Sequence, residues 1–166
     1  MTSIASEIWS SPAQPVQHAA AWAFTEPPVL RARIDAARAL HAGVARTVAD
    51  LFTAAGAEMA RPQAAFYFYP DFASHRERLA RDFGVDTSSD LAGVLLRDHN
   101  VAVLPGSAFG DDEHTLTIRV ATSLLYGDDD QQRSIALEHR QPETLPWIEP
   151  TLDRLNAALS ALTRAG

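Results

Sequence analysis

The chain has 166 residues, no cysteine and a formal net charge of −7 at pH 7. These facts exclude disulfides, thiolate catalysis and cysteine-ligated zinc or iron–sulfur centres, and they argue against binding nucleic acid or anionic membranes, which calls for basic patches. All 14 basic residues are arginines, so no side chain here can form a Schiff base with a carbonyl compound.

A chain of this length can bury about 70% of its unfolded surface in one domain. The opening MTSIASEIWSS has neither the positive start nor the apolar core of a signal peptide. No apolar run approaches the roughly 20 residues of a membrane span. The expectation is a cytoplasmic protein that binds neither nucleic acid nor membrane.

Ser11-Pro12 predicts a helix start, a capping residue with proline in the first turn. That helix runs through about Ala13–Ala23, with Val16, Ala20 and Ala23 on one face, and Glu26-Pro27-Pro28 stops it. Over residues 29–56, Leu30, Ile34, Ala37, Val44, Val48 and Leu51 recur at three- and four-residue intervals, the pattern of one long amphipathic helix. Gly56 is its expected C-cap. Such a helix spans roughly 40 Å, wider than so small a domain, which predicts a kink at Gly43 or a partner outside the sequence.

AAFYFY (64–69) is a strand by aromatic content, ended by Pro70-Asp71. Ser74 with Glu77 reads as a capping box opening a helix that Gly84 ends. Thr87 or Ser88 caps a second helix, DLAGVLLRDH. VAVLP (101–105) and TLTIRVATS (115–123) are further strands around the loop GSAFGDDEH. GDDD (127–130) is a solvated turn before a short helix near Arg133–His139. The tail ends in a helix with Leu152, Leu155, Leu159 and Leu162 on one face. The fold class is therefore α/β (α+β), a small three- to four-stranded sheet flanked by helices, with a long helix near the N-terminus. Trp9, Trp22 and Phe24 have no obvious partner.

Within TLTIRVATS, Leu116, Ile118 and Val120 alternate as core residues, and Arg119 interrupts them. An unpaired guanidinium is expensive to bury, so Arg119 needs a reason. Two adjacent strands would bring it close to PGSAFG (105–110), and its planar fork suits a carboxylate. The alternatives are an exposed strand face or an internal ion pair. PGSAFG has the spacing of neither a phosphate loop nor a nucleophile elbow. The six histidines form no i, i+4 metal pair, and DDEH (111–114) reads as a hydrated hairpin end, so no metal site is expected.

In order, PQAAFYFYPDF, SSDLAGVLL, VAVLPGSAFG and LTIRVATS resemble the C-terminal part of class I/II aminotransferases, the fold-type I, aspartate-aminotransferase-like pyridoxal-phosphate enzymes. IWSSPAQPVQHAAAWAF resembles that family's segment ahead of the long interdomain helix. The resemblance implies residues 1–27 as a segment joining the large domain and residues 28–166 as the small domain. It also implies that Arg119 binds the substrate α-carboxylate and that Phe66 lies on the substrate side of the pocket. Ser10 and Ser11 match a turn that, in family dimers, approaches the neighbouring active site.

The resemblance implies pyridoxal phosphate as cofactor and an amino acid or 2-oxo acid as substrate. It implies no catalytic residue in this chain, because the Schiff-base lysine is absent, and hence no covalent attachment of the cofactor here. The large domain would precede this segment. The expected function is transamination only when a separately encoded large-domain half complements the chain. The alternative is a catalytically dead remnant or a protein-interaction module prone to self-association.

Overall fold

A computed structural model of the chain describes residues 12–164. The capping residue expected at Ser11, the unpartnered Trp9 and the turn at Ser10 lie outside the described residues. Compactness divides the chain between Ala37 and Arg38.

In the first unit, helix α1 spans Gln14–Ala23. Ala13 holds the cap position without a side-chain hydrogen bond, and Pro15 rather than Pro12 occupies the first turn. The expected apolar face is not an inner face: no residue of α1 is buried. Indeed no described residue before Arg38 is fully buried, and Phe24 is 87% exposed.

Helix α2 spans Pro28–Ala54 as one element without a break at Gly43. Its buried residues are Leu40, Val44, Ala45, Val48, Ala49 and Phe52. The expected stripe was therefore right only in its second half, and Ile34 is exposed. Gly56 ends the helix with a φ of 80°, while the Ala57 N–H donates to the Phe52 carbonyl at 3.1 Å. That six-residue closure satisfies an otherwise orphaned carbonyl and favours glycine at the left-handed position.

The second unit, from Arg38 onward, holds a three-stranded antiparallel sheet of β1 (Tyr67–Phe68), β2 (Leu104–Pro105) and β3 (Ile118–Ala121), in the order β1-β3-β2. Three strands in a mixed α and β fold match the expected class, but each is shorter than its sequence run. Pro105 ends β2 and lacks an N–H for the ladder, while Ala65 turns the chain before β1 with a φ of 61°. Isolated bridges from Asp71 to Glu58 and to Thr117 extend the pairing beyond β1 and β3.

Register decides which face each side chain takes. Phe68 opposes Val120 and Pro105 opposes Ile118. Phe68, Leu116, Ile118 and Val120 are all buried. The other face carries Tyr67 opposite Ala121, and Leu104 opposite Arg119.

Four further helices complete this unit: α3 (Arg76–Phe83), α4 (Ser88–His99), α5 (Asp130–Glu138) and α6 (Glu149–Thr163). Of these, α4 packs on β2 and β3. Leu79 of α3, Leu91 and Leu95 of α4, and the expected Leu152, Leu155, Leu159 and Leu162 of α6 are all buried. Arg78 Nε donates to the Leu162 carbonyl at 3.0 Å, satisfying the C-terminal end of α6 from α3.

The Ser74–Glu77 capping box does not form. A 3-10 turn over Ala73–His75 precedes α3, and His75 sits at its cap without a side-chain bond. Ser74 Oγ instead donates to the Gly56 carbonyl at 3.1 Å, a tertiary contact that local spacing cannot foresee.

At α4 the capping box forms on Thr87, whose hydroxyl accepts from the Asp90 N–H. The Asp90 carboxylate in turn accepts from the Thr87 N–H at 2.9 Å and from its hydroxyl at 2.7 Å. The Thr87 hydroxyl, then its N–H, holds the Asp90 carboxyl below the usual range. Thr87→Ala is expected to cost about 1 kcal/mol at neutral pH. A depressed carboxyl stabilises above its unfolded value near ~4 and loses that contribution as pH falls through the folded value. Urea melts at neutral and acidic pH check this: the gap between wild type and variant should narrow in acid.

Candidate functional site: an arginine between two aromatic rings

Arg119 lies on the central strand, between buried Ile118 and Val120, and is itself half-buried. Tyr67 reaches it from β1 on one side, and Phe109 reaches it from the turn after β2 on the other. The guanidinium carbon stands 4.8 Å from the Tyr67 ring centroid and 4.2 Å from that of Phe109. Each such contact contributes about 0.5–1 kcal/mol where partly exposed. These rings answer how the chain tolerates a guanidinium in a core-forming strand.

No acidic side chain among the described residues pairs with Arg119, and its guanidinium has no hydrogen bond to any of them. Both alternatives from the sequence are thereby narrowed: the residue is half-buried, with no ion pair among the described residues. A guanidinium whose faces meet rings keeps its in-plane N–H donors for a planar acceptor.

The turn that carries Phe109 is a 3-10 helix over Gly106–Phe109, closed by Gly110 at φ 95°. Its near end is tied to α4: buried Ser88 donates its hydroxyl to Ser107 Oγ at 3.1 Å and accepts from the Ser107 N–H at 3.3 Å. Its far end is tied to the sheet. Asp111 Oδ2 accepts from Tyr69 Oη at 2.7 Å and from Thr117 Oγ1 at 2.6 Å. These two hydrogen bonds, Thr117's first, hold the Asp111 carboxyl below its usual range. Desolvation, then the bond to Asp111, raises the Tyr69 phenol.

Phe66 immediately precedes β1. Its ring packs on the His41 ring at 5.5 Å and on Tyr67 at 4.5 Å, so it backs the tyrosine that touches Arg119. His41 Nδ1 lies 2.7 Å from Tyr126 Oη, whose phenol burial pushes up. Sequence reasoning missed Tyr67: alternation sets it on the face opposite Phe68, but only the register of β1 on β3 brings it to Arg119. Phe109 lies inside PGSAFG, and only the pairing of β2 with β3 brings it over the guanidinium.

A separate groove of about 720 Å³ runs along α2 beneath residues 61–65, with Arg46, Asp50 and Arg61 in its walls. Among the described residues, no group of three or more His, Asp or Glu side chains could hold a metal ion, and no helix is long and apolar enough to cross a membrane.

The family model for aminotransferase class I and II matches residues 1–124. The chain belongs to that family. The aminotransferase from Bacillus sp. strain YM-2, an aspartate aminotransferase, is 34% identical over 125 residues, which cover 75% of this chain and 30% of the relative. The aspartate aminotransferase of Pinus pinaster is 41% identical over 70 residues, covering 42% of this chain and 14% of the relative. A solved Pyrococcus structure, protein-A1, shares 23% identity at a TM-score of 0.41, covering 70% of this chain and 23% of its own. The chain thus spans less than a third of the length of these aminotransferase relatives.

Membership implies pyridoxal phosphate, which supplies an electron sink for chemistry at the amino-acid α-carbon. The residues present do not make a site for it by themselves. The 166 residues include no lysine, and the Arg119 cluster is one guanidinium with two rings against it, suited to a carboxylate.

Proposed function

We propose that this chain supplies the carboxylate-binding wall of an aminotransferase site, with Arg119 as the group that grips the substrate α-carboxylate. The single observation that carries this reading is the half-buried guanidinium with rings against it and no acceptor among the described residues. A bidentate pair to a carboxylate is charge-assisted and fixes the orientation of the α-carbon, which is positioning work. Phe66 contributes by backing Tyr67. Transamination of an amino acid with a 2-oxo acid then requires a large-domain polypeptide that brings the lysine and holds pyridoxal phosphate.

The test has two arms. Calorimetry of the chain with glutarate and with amino acids should show weak, Arg119-dependent binding, because a one-walled site encloses little ligand. Mixing the chain with a lysine-bearing large-domain polypeptide and the cofactor should yield 2-oxo acid from an amino acid, and neither part alone should. Flat titrations together with an inactive mixture would reject the proposal.

The exposed Trp22, Phe24 and Val29 favour a second reading, a protein-interaction module whose apolar residues a partner or a second copy covers. Light scattering separates the two: a chain that stays monomeric at high concentration without binding hydrophobic dye has no such surface.

A further inference from the structure

The aromatic contact on Arg119 from the β2 side depends on Phe109, and Phe109 sits on a turn that must be held at both ends. Ser88 holds the near end at Ser107. At the far end, one carboxylate oxygen collects two hydroxyl donors from two different strand regions, Tyr69 beyond β1 and Thr117 before β3. Tyr69 Oη also stands 3.3 Å from the Gly106 carbonyl, and its ring meets the Phe109 ring edge-on at 6.4 Å. An exposed turn of this kind has no buried apolar anchor of its own, since Phe109 is 45% exposed. Its position therefore rests on polar ties.

We propose that Asp111 is a positioning residue for the arginine site: by taking hydrogen bonds from Tyr69 and Thr117 it holds Phe109 against the Arg119 guanidinium. The Asp111 carboxylate is thus engaged in anchoring the turn, with both hydroxyl donors on one oxygen. Loss of the anchor lets Phe109 leave and frees the guanidinium to sample orientations in which its fork no longer meets a carboxylate. This inference rests on the proposed role of Arg119 only for its functional consequence; the anchoring itself does not depend on it.

The experiment is NMR of the full chain, following the Arg119 side-chain Nε–H resonance, assigned by its disappearance in Arg119→Ala. Two rings within 5 Å shift that proton upfield in the wild type, and Phe109→Leu calibrates the part due to Phe109. Asp111→Ala should lose as much of the upfield shift as Phe109→Leu does, whereas Asp111→Asn, which keeps an acceptor oxygen, should retain at least half. The paired variant Tyr69→Phe, Thr117→Val removes the donors while keeping their bulk, and it should match Asp111→Ala even if the latter folds poorly. A wild-type shift in either the alanine variant or the paired variant would overturn the proposal. Glutarate titration on the same samples should show binding roughly tenfold weaker in Asp111→Ala. If the shifts behave as expected while the wild type binds no carboxylate, the anchor stands and the proposed function falls.

Discussion

Arg119→Ala is expected to weaken binding of carboxylate ligands by roughly 100-fold, about 2.7 kcal/mol, while leaving the fold intact. The size follows from losing the charge-assisted pairing at a half-open site, for which hydrogen bonding to a charged group contributes about 1.5–3 kcal/mol. The stability change should stay near 1 kcal/mol, since the half-buried side chain contributes two partly solvated ring contacts and, among the described residues, no ion pair. Arg119→Lys should sit between, about tenfold weaker than wild type, because an ammonium keeps the charge and loses the planar fork. Calorimetry with glutarate, paired with urea melts, checks all three statements. Equal affinity in wild type and Arg119→Ala would remove the functional reading of the cluster.

Gly106→Ala is expected to destabilise the chain strongly. A Cβ there would lie 2.0 Å from Thr117 Oγ1, 3.0 Å from Thr117 Cβ and 2.7 Å from Asp111 Oδ2. The strand hydrogen bond from the Gly106 N–H to the Thr117 carbonyl, 2.8 Å long, holds the backbones too close to yield. Overpacking of this kind costs typically ~1–3 kcal/mol and more where backbone must move. It would also expel Thr117 from Asp111. Gly110→Ala provides the contrast: nothing stands within 4 Å of its added Cβ, and only its φ of 95° opposes the change, a cost of about 1–2 kcal/mol. Urea melts should rank Gly106→Ala below Gly110→Ala, and Thr117→Ala combined with Gly106→Ala should recover part of the loss. A Gly106→Ala variant as stable as wild type would contradict the close approach of β2 and β3.

Much of the fold was legible wherever a residue's role is set by its near neighbours. The Leu152, Leu155, Leu159 and Leu162 stripe, the left-handed caps at Gly56 and Gly84, and a helix start at Thr87 or Ser88, where Thr87 is the cap, all follow from local sequence. Failures came where a distant group competes. Ser74 is drawn to the Gly56 carbonyl and does not cap α3. The first half of α2 has the apolar period of a buried helix, yet its buried residues begin at Leu40. Periodicity reports that a face is apolar, not that something covers it.

The sequence by itself determined that this chain is a member of the aminotransferase class I and II family, that it holds a small sheet of three to four strands among helices, and that no lysine in these 166 residues can attach a cofactor. Those properties are carried by residue identity and order. Tertiary structure alone decided that Tyr67, rather than Phe66, touches the arginine, and that Asp111 is taken up by Tyr69 and Thr117. The reason is register: in a sheet one residue of slip exchanges the faces, and only the pairing of β1 and β2 against β3 says which aromatic meets the guanidinium.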